Sequence, residues 1–466
     1  MRPPRSRRSS SRKDSVPLRE APRESQGVLR VDSIAAGGDG VGRIEGMVCF
    51  TPRTAPGDSA QVAYVSHAKH ARGRVLQLLE SSSSRVEPRC HHYVQDRCGG
   101  CQLQHIADDA QRTARLGIVN DALRRIGKRD ATVTDLVTGS SWEYRTRLTL
   151  TLHRRGRGFV GGLHPYDDPS RVFSLTECPI SHPALVTAWL AMVPLLPGLP
   201  VSDRLRVALR LAGALPEGEG ETSRVSIVIE GGKEWPHASE WETSLRRAFP
   251  ALHGVWWKRE GTVLHTGSAA PSAAVAVRER GHVDDLAPEG SEAFEALAFA
   301  QVNRDVAEQL RGFVLGQVLT YEPAHVVDGY AGTGLLSEGL AAAGVRVTAI
   351  ESDPSATAGA TARLAAFTGA RVITDRVESA LPGVLPADVV VLNPPRRGVD
   401  PGVTGLLAGG AARGVRAIVY VSCDPATLSR DLTRLPAWRI AALRCFDMFP
   451  QTAHVETVCV LTPEVP

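Results

Sequence analysis

Val326-Val-Asp-Gly-Tyr-Ala-Gly-Thr-Gly-Leu335 joins a short β-branched segment to a helical pattern through closely spaced glycines. Glycines such as Gly332 and Gly334 let the backbone approach a ligand at the carboxyl edge of a sheet. The next strand-like segment ends at Glu351, whose carboxylate can accept hydrogen bonds from both hydroxyls of a ribose. The pattern therefore predicts a site for a cofactor that contains a nucleoside.

Strand-like and helical segments alternate from about residue 291 to the end of the chain. This alternation predicts a doubly wound parallel sheet, and so a Rossmann-like domain of residues 291–466. The glycine pattern alone suits a dinucleotide or S-adenosylmethionine. Its Asp-x-x-x-Gly-x-Gly form, its place in a C-terminal domain and the turn Asn393-Pro-Pro-Arg-Arg-Gly398 favour S-adenosylmethionine and methyl transfer. We therefore place Asn393 in the predicted cofactor site.

Cys423 lies in a Ser-Cys-Asp-Pro turn directly after the β-branched residues 418–421. Downstream, Phe449-Pro-Gln-Thr-Ala-His-Val-Glu456 places a carboxylate beside another strand-like ending. A thiol and a base at the edge of one sheet are the minimum for covalent catalysis. The alternative is that Cys423 is a small buried hydrophobic residue. The surrounding domain favours the nucleophile.

Four further cysteines are grouped upstream, in the order Cys90, Cys98, Cys101 and Cys178. Eight cysteines in a chain of this length are too few and too unevenly spaced for a disulfide scaffold. Four thiolates in a reducing compartment suit a structural zinc ion or an iron-sulfur cluster, and spacing alone hardly separates the two. The single Cys-x-x-Cys pair is unlike a zinc ribbon, which usually has two.

Composition predicts a multidomain cytoplasmic protein. The 466 residues are too many for one core, and 43% of them are hydrophobic, as in globular proteins. The longest apolar run, residues 184–196, is too short to span a membrane, and no apolar segment follows the basic N-terminus. The net charge is +4, and the first 30 residues hold nine Lys or Arg against three acids. This tail can hold a nucleic-acid backbone loosely, or it is merely solvated.

The chain divides into four predicted segments. A disordered basic tail of residues 1–23 precedes a small OB-like β-barrel of residues 24–82, because short apolar segments there alternate with Gly- and Pro-containing turns. An α+β middle domain with the cysteine group spans residues 83–290, and the Rossmann-like domain follows. Basic clusters at residues 112–129 and 145–171 are predicted phosphate contacts.

Four motifs together resemble the RNA uridine-5-methyltransferase family, and the match runs from about residue 26 to the end of the chain. They are Cys-Gly-Gly-Cys-x-x-Gln-His at residues 98–105, Phe-x-Gln-x-Asn at 299–303, Ser-Cys-x-Pro at 422–425 and Phe-Pro-x-Thr-x-His-x-Glu at 449–456. Within the family, the chain is similar to the branch with an N-terminal TRAM β-barrel and a 4Fe-4S cluster, typified by the large-subunit ribosomal RNA enzymes. The resemblance implies methylation of a uridine in RNA, with ribosomal RNA favoured over transfer RNA, and no membrane or obligate protein partner is indicated.

The resemblance also implies a role for individual residues. Cys423 would be the nucleophile and Glu456 the base. The cluster would be held by Cys90, Cys98, Cys101 and Cys178, and S-adenosylmethionine would contact Gln301, Tyr330, Glu351 and Asp375.

Three features depart from the family pattern. Asn393 stands where the family usually has aspartate, and an amide accepts a hydrogen bond but cannot take a proton. Leu335 stands where a hydrogen-bonding residue often follows the glycines. The spacing between Cys90 and Cys98 is also longer than expected, which weakens Cys90 as a ligand more than the other three cysteines.

The chemistry explains why the family needs a thiol. Carbon 5 of uracil is a poor nucleophile, and attack of a thiolate on carbon 6 creates an enolate that can accept a methyl group at carbon 5. A base must then remove the proton from carbon 5. A uridine inside a duplex cannot present both ring faces, so a flipped or looped-out target in single-stranded RNA is expected, with the barrel adding a surface for the RNA backbone.

Two other functions remain open from the residues. An amino-group methyltransferase can use an Asn-Pro-Pro turn to accept a hydrogen bond from an exocyclic amine, although Arg396 stands where such enzymes generally have an aromatic residue, and they need no cysteine. A non-catalytic RNA-binding protein is the other alternative. The presence of both Cys423 and Glu456 argues against it, whereas Asn393 and Leu335 keep it open.

Overall fold

The computed structural model describes residues 24–156, 158–212, 223–259, 262–266, 275–276, 301–409 and 414–464. The tail of residues 1–23, predicted to be disordered, lies outside the described residues, as does Phe299 of the Phe-x-Gln-x-Asn motif. Within the described part, the strands form a closed barrel and two eight-stranded sheets. None of the described helices has both the length and the apolar character needed to cross a membrane.

The N-terminal barrel fits the predicted small β-barrel. Its strands close in the order β1-β2-β3-β5-β4. Leu29, Val31 and Val62 fill its interior and are almost fully buried. The strands are β1 (Glu24–Ile34), β2 (Gly40–Ile44), β3 (Met47–Thr51), β4 (Ser59–Ser66) and β5 (Ala71–Glu80).

The segment after the barrel crosses to the C-terminal sheet. It contains α1 (His91–Val94), α2 (Asp108–Arg125) and the short strand β6 (Leu136–Val137), which pairs with the outermost C-terminal strand. Val119 and Leu123 of α2 are fully buried in the C-terminal core. The range predicted as the middle domain therefore includes residues that pack against the C-terminal sheet.

The middle sheet has the order β14-β13-β12-β11-β10-β7-β8-β9. One of its faces packs on α3 and α4 through leucine and valine side chains, together with Trp189 and Trp241. Its elements are β7 (Arg147–Arg155), β8 (Gly158–Leu163), β9 (Phe173–Ser174), α3 (Pro183–Met192), a 3-10 helix (Val193–Gly198), β10 (Arg204–Leu211), β11 (Val225–Glu230), α4 (Ala238–Ala248), β12 (Leu252–Arg259), β13 (Thr262–His265) and β14 (Val275–Ala276).

The C-terminal sheet is doubly wound, as predicted, but it is not wholly parallel, because one strand near its edge runs antiparallel. Val326 and Val327 are both fully buried, but in cores on opposite faces of the sheet, as expected for a parallel strand covered by helices on both sides. Its elements are α5 (Arg304–Leu319), β15 (His325–Gly329), α6 (Leu335–Ala342), β16 (Arg346–Glu351), α7 (Pro354–Leu364), β17 (Ala370–Thr374), α8 (Val377–Ala380), a 3-10 helix (Leu381–Gly383), β18 (Val389–Leu392), α9 (Pro401–Ala408), β19 (Ala417–Ser422), α10 (Pro425–Leu432), β20 (Trp438–Phe446) and β21 (Glu456–Pro463).

The strand order β17-β16-β15-β18-β19-β21-β20-β6 places the topological switch between β15 and β18. The strands from β17 to β19 are parallel, whereas β21 is antiparallel to both of its neighbours. Ligands of open α/β sheets bind at the carboxyl ends of the strands beside such a switch. The fold therefore places a binding crevice where β15 and β18 end.

A buried ion pair attaches α2 to the loop before β21. Arg115 of α2 lies 3.3 Å from Asp447, and its Nε donates to the carbonyl of Thr452 at 3.0 Å. Burial lowers the pKa of Arg115 and raises the pKa of Asp447, so for each group burial outweighs the attraction of the other. The pair therefore fixes how α2 docks rather than adding much net stability.

Breaking this pair should destabilise the protein strongly. We expect Arg115→Ala to cost about 3–5 kcal/mol, because it leaves Asp447 buried without its partner. Arg125→Ala on the same helix should cost less than about 1 kcal/mol, because Arg125 is exposed and pairs with Asp121 in solvent. Urea unfolding of the two variants measures the difference, and equal midpoints would contradict the role given to Arg115.

Candidate active site

A cavity of about 1200 Å³ opens at the carboxyl edge of the C-terminal sheet. Most of the residues predicted to bind a cofactor or to act in catalysis contribute to its wall, although they come from distant parts of the sequence. They are Gln301, Tyr330, Gly332, Glu351, Asp375, Asn393, Cys423 and Glu456. The exception among the predicted residues is Gly334.

Gly334 lies on the side of the glycine-rich turn that faces α7. It begins α6 with a φ of +77°, and a Cβ atom there would lie 3.0 Å from the Cβ of Ala360. Any larger residue would therefore push α6 away from α7. Gly332 has a φ of +56° with open space beside it, and its N–H donates to Glu351 at 3.0 Å.

The carboxylate of Glu351 links the glycine-rich turn after β15 to the backbone that follows β16. Its Oε2 accepts the hydrogen bond from Gly332, and its Oε1 accepts from the backbone N–H of Ser352 at 2.6 Å and of Asp353 at 2.9 Å. These bonds hold the carboxylate at the mouth of the turn. Each oxygen has two lone pairs, so the group can still accept a ligand hydroxyl.

Asp328 was not among the predicted site residues, but it also lines the cavity. Burial raises the pKa of its carboxyl to about 6, and Ser337 donates a hydrogen bond to it at 2.6 Å. This bond joins β15 to α6 beneath the glycine-rich turn. Asp328 could have been identified from the sequence, because it is the first residue of the Asp-x-x-x-Gly-x-Gly pattern.

Cys423 and Glu456 meet because β19 and β21 are antiparallel. Ser422 pairs with Thr457, so the residue after the end of one strand lies beside the residue that begins the other. The Ser422 hydroxyl donates to the carbonyl of Asp424 and accepts from its N–H, which closes the turn around Cys423. Asp424 then caps α10 by accepting from the N–H of Thr427 at 2.7 Å. The thiol is thereby held at the edge of the sheet.

The pKa values of Cys423 and Glu456 are both shifted by their surroundings. Glu456 is only 5% exposed, and burial raises its pKa to about 7 while the nearby Arg396 lowers it. Burial and the negative charge of Glu456 raise the pKa of Cys423, and Arg396 again opposes the shift. A carboxyl with a pKa near neutrality is suited to take up and release a proton.

Arg396 also lines this cavity, although in the sequence it was noted only as standing where an amino-group methyltransferase generally has an aromatic residue. Its loop is held against α10, where Thr427 donates to the carbonyl of Arg396 at 3.1 Å and Arg430 to that of Arg397 at 2.8 Å. Gly398 permits this approach, because its φ is +83° and a Cβ atom would come within 2.3 Å of Thr427. The loop thus places a cation beside both the thiol and the carboxyl.

The loop that ends at Glu456 is also held by the cysteine-containing segment. The carbonyl of Gln451 accepts from the backbone N–H groups of Gln102 and Leu103 at 3.1 and 3.0 Å. The Gln451 side chain accepts from Gln111 at 2.9 Å, and Tyr144 donates to the carbonyl of Pro450 at 3.0 Å. Gln451 has a φ of +67°, which is uncommon for a residue other than glycine. These contacts hold it in that conformation.

The four upstream cysteines line a second cavity, of about 300 Å³. Cys90, Cys98 and Cys101 are each no more than 7% exposed, and Cys178 is half-buried. Cys90 lines the cavity with the other three, despite its longer spacing from Cys98. The structure therefore brings together the whole predicted ligand set.

The geometry and chemistry of this cavity fit a cluster better than one metal ion. Four thiolates around a zinc ion lie about 3.8 Å apart, given Zn–S bonds of about 2.3 Å. In the described residues, the one set of three potential ligand atoms within 4.8 Å of one another is His91, His92 and Asp96, so no three of the four cysteine sulfurs lie that close together. Arg53 Nη1 and Arg145 Nε are buried near these thiols and have no hydrogen-bond partner in the described part of the chain. Their positive charge suits an anionic cluster.

Comparisons with known proteins place this site in context. The family model described as tRNA (Uracil-5-)-methyltransferase matches residues 384–464, which include Asn393, Cys423 and Glu456. The chain is 32% identical over 447 residues to an uncharacterized RNA methyltransferase of Thermosynechococcus vestitus, covering 93% of this chain and 97% of the relative. It is 31% identical over 451 residues to the 23S rRNA (uracil(1939)-C(5))-methyltransferase RlmD of Methylococcus capsulatus, covering 92% and 95%.

A solved structure shares the fold over most of the chain. The tRNA (uracil-54, C5)-methyltransferase of Pyrococcus abyssi, in complex with S-adenosyl-L-homocysteine, superposes with a TM-score of 0.65 at 23% sequence identity. The match covers 94% of this chain and all of that one. It supports the arrangement of the barrel and the two sheets.

Removing the charge of Arg396 should make Cys423 less reactive. In Arg396→Gln, the pKa of the thiol should rise further, because the cation that favours the thiolate is lost. Alkylation of Cys423 by iodoacetamide, followed by mass spectrometry of its peptide, should then require a higher pH. Arg397→Gln is the matched control, and an unchanged pH profile in Arg396→Gln would contradict the assignment.

Proposed function

Because the chain belongs to the RNA uracil-5-methyltransferase family, we propose that it methylates carbon 5 of a uridine in ribosomal RNA through a covalent adduct with Cys423. The chain is an RNA (uracil-C5)-methyltransferase, and its relatives with assigned activity include enzymes named for 23S ribosomal RNA. The observation that carries the mechanism is the meeting of Cys423 and Glu456 in the cavity that the glycine-rich turn also lines.

Cys423 begins the reaction. Its thiol loses a proton to solvent through the open cavity, with Arg396 favouring the thiolate. The sulfur then bonds to carbon 6 of the uracil, and the electron pair of the C5=C6 bond moves towards the carbonyl at carbon 4 to give an enolate. S-adenosylmethionine supplies an electrophilic methyl group, which the electron pair at carbon 5 captures as the S–CH3 bond breaks.

Glu456 ends the reaction. Its carboxylate removes the proton from carbon 5, the C5=C6 bond re-forms, and the thiolate leaves carbon 6. Since burial raises the pKa of Glu456 to about 7, the acid formed in this step can return its proton to solvent at neutral pH. The net products are 5-methyluridine, S-adenosylhomocysteine and one proton.

The cavity wall suits the methyl donor. Glu351 is oriented at the tip of β16 to accept from ribose hydroxyls, and Asp375 lies beside it at the end of β17, with its N–H bonded to the carbonyl of Glu351 at 3.0 Å. Gln301, Tyr330 and Asn393 line the remainder of the cavity. Asn393 would accept a hydrogen bond there, and the proton transfer is assigned to Glu456.

The amino-group alternative is less well supported by the site. It gives no role to a thiol beside a buried carboxyl with a pKa near 7, nor to Arg396 next to both. The non-catalytic alternative is set aside, because the chain is an enzyme by family membership.

We further propose that Cys90, Cys98, Cys101 and Cys178 hold a 4Fe-4S cluster. When bound, the cluster would supply negative charge and a rigid link among four separate positions of the chain, with Arg53 and Arg145 balancing that charge. It has no part in the methyl transfer itself. The TRAM assignment of the barrel and the cytoplasmic location remain predictions.

The covalent mechanism predicts that Glu456→Gln traps an adduct. The variant can still form the bond to carbon 6 and accept the methyl group, but it cannot remove the proton, so release should slow by about 10²–10⁴-fold. Incubation with S-adenosylmethionine and RNA lacking 5-methyluridine should give a protein–RNA complex that survives denaturing electrophoresis. The double variant Cys423→Ala/Glu456→Gln should give none, and a complex that persists without Cys423 would contradict the mechanism.

The reaction and the substrate can be tested together. Anaerobically purified protein, methyl-labelled S-adenosylmethionine and total RNA lacking 5-methyluridine should give label in 5-methyluridine of ribosomal RNA. Cys423→Ala should give no label. Label in a methylated adenosine, guanosine or cytidine that survives this change would favour the amino-group reaction, and label in transfer RNA would overturn the substrate proposal.

The cluster proposal predicts metal content. Anaerobically purified protein should contain about four irons and four sulfides per chain, and Cys101→Ser should lose most of both. Cys459→Ser is the matched control, because Cys459 is fully buried in the C-terminal core. Stoichiometric zinc without sulfide would contradict the proposal.

A further inference from the structure

One face of the middle sheet concentrates positive charge. Along β7 and β10, leucines and valines alternate with polar residues, and strand geometry places the two sets on opposite faces. The apolar set packs on α3 and α4. The other face carries the residues that we call the cationic face, namely Arg147, Arg204, Arg206, Arg210 and Lys258.

Acidic residues do little to neutralise this face. Within strands β7, β10, β11 and β12, it carries a single carboxylate, that of Glu230. Glu230 lies directly opposite Arg206, at 3.3 Å, and on its other side Lys258 approaches to 3.9 Å. One carboxylate is thus shared between two cations, so the face keeps an excess of positive charge.

Arg147 and Arg210 form a cross-strand pair of like charges, which we call the Arg147–Arg210 rung. The two residues pair directly across β7 and β10, where like charges destabilise a sheet. Burial, together with the neighbouring Arg147, lowers the pKa of Arg210 to about 10, and burial and Arg206 lower the pKa of Arg147. A bound anion would relieve this repulsion.

The position of the rung indicates which anion the cationic face binds. Arg147 and Arg210 both line the active-site cavity, and Arg147 also lines the cavity of the four cysteines, so the face connects the two. A uracil that enters the active-site cavity brings its sugar-phosphate chain to this face. Alternate positions along β10 lie about 7 Å apart, comparable to successive phosphates of an extended strand. A guanidinium also matches the geometry of a phosphate.

We propose that the cationic face binds the phosphodiester groups that flank the target nucleotide, with the Arg147–Arg210 rung holding the phosphate nearest the active-site cavity. This inference deepens the proposed function and rests on it for the identity of the polymer as RNA. The face would position the chain without reading its bases.

The salt dependence of binding tests this proposal. Binding of a fluorescently labelled single-stranded oligouridylate to the full chain is measured by anisotropy over a series of salt concentrations. In Arg147→Gln/Arg210→Gln, the slope of log K against log salt should fall by about 0.7, because the rung holds one phosphate and each phosphate contact contributes about 0.7 for a single strand. Arg147→Lys/Arg210→Lys should keep the wild-type slope, since the charges remain.

Two controls make the result decisive. Arg247→Gln/Arg439→Gln removes two exposed charges elsewhere and should leave the slope unchanged. Thermal unfolding followed by circular dichroism reports whether each variant is folded. A wild-type slope in a folded Arg147→Gln/Arg210→Gln variant overturns the proposal. If that variant does not fold, Arg204→Gln/Lys258→Gln, both exposed on the same face, is judged by the same slope. The assay involves no methyl transfer, so its outcome is separate from that of the proposed function.

Discussion

The hydrogen bonds that the Gln451 carbonyl accepts from Gln102 and Leu103 are the contact on which the active site depends. They tie the loop that ends at Glu456 to the turn that carries Cys98 and Cys101. Gln451 adopts a left-handed conformation that is unfavourable on its own, and it stays there because its backbone and side chain are both bonded. This attachment fixes the loop that precedes Glu456, and the pairing of β19 with β21 then places its carboxyl beside the thiol.

Electrostatics at the site follow from the same packing. A surface glutamate has a pKa near 4.3 and would be a weak base. Burial raises the pKa of Glu456 to about 7, and the positive charge of Arg396 opposes a larger shift. At Cys423, burial raises the pKa and so opposes ionisation of the thiol. The positive charge of Arg396 acts against this shift and favours the thiolate. Arg396 thus lowers the pKa of both Cys423 and Glu456. Its loop is fixed by α10 rather than by the sheet.

Much of the fold and the site could be predicted from local patterns. The glycine-rich turn, the strands on either side of it and the Ser-Cys-Asp-Pro turn are short-range features, and the family motifs supplied the remaining site residues. Three findings depend on contacts distant in sequence. The crossing of residues 108–137 to the C-terminal sheet could not be foreseen, because α2 has no pronounced apolar face that would indicate which core it enters. The roles of Arg396 and Arg210 depend on what the fold places beside them, which no local pattern encodes.

The pairing of β6 with the C-terminal sheet also determines the order in which the protein can fold during synthesis. Residues 136–137 form the edge of a sheet whose other members are made last during synthesis. Val119 and Leu123 must likewise wait for the C-terminal core before they can be buried. The C-terminal sheet is thus not an autonomous unit, since a fragment starting at residue 301 lacks both its edge strand and the helix that covers it. Evolutionary transfer of this catalytic domain to another protein would have to carry an upstream segment with it.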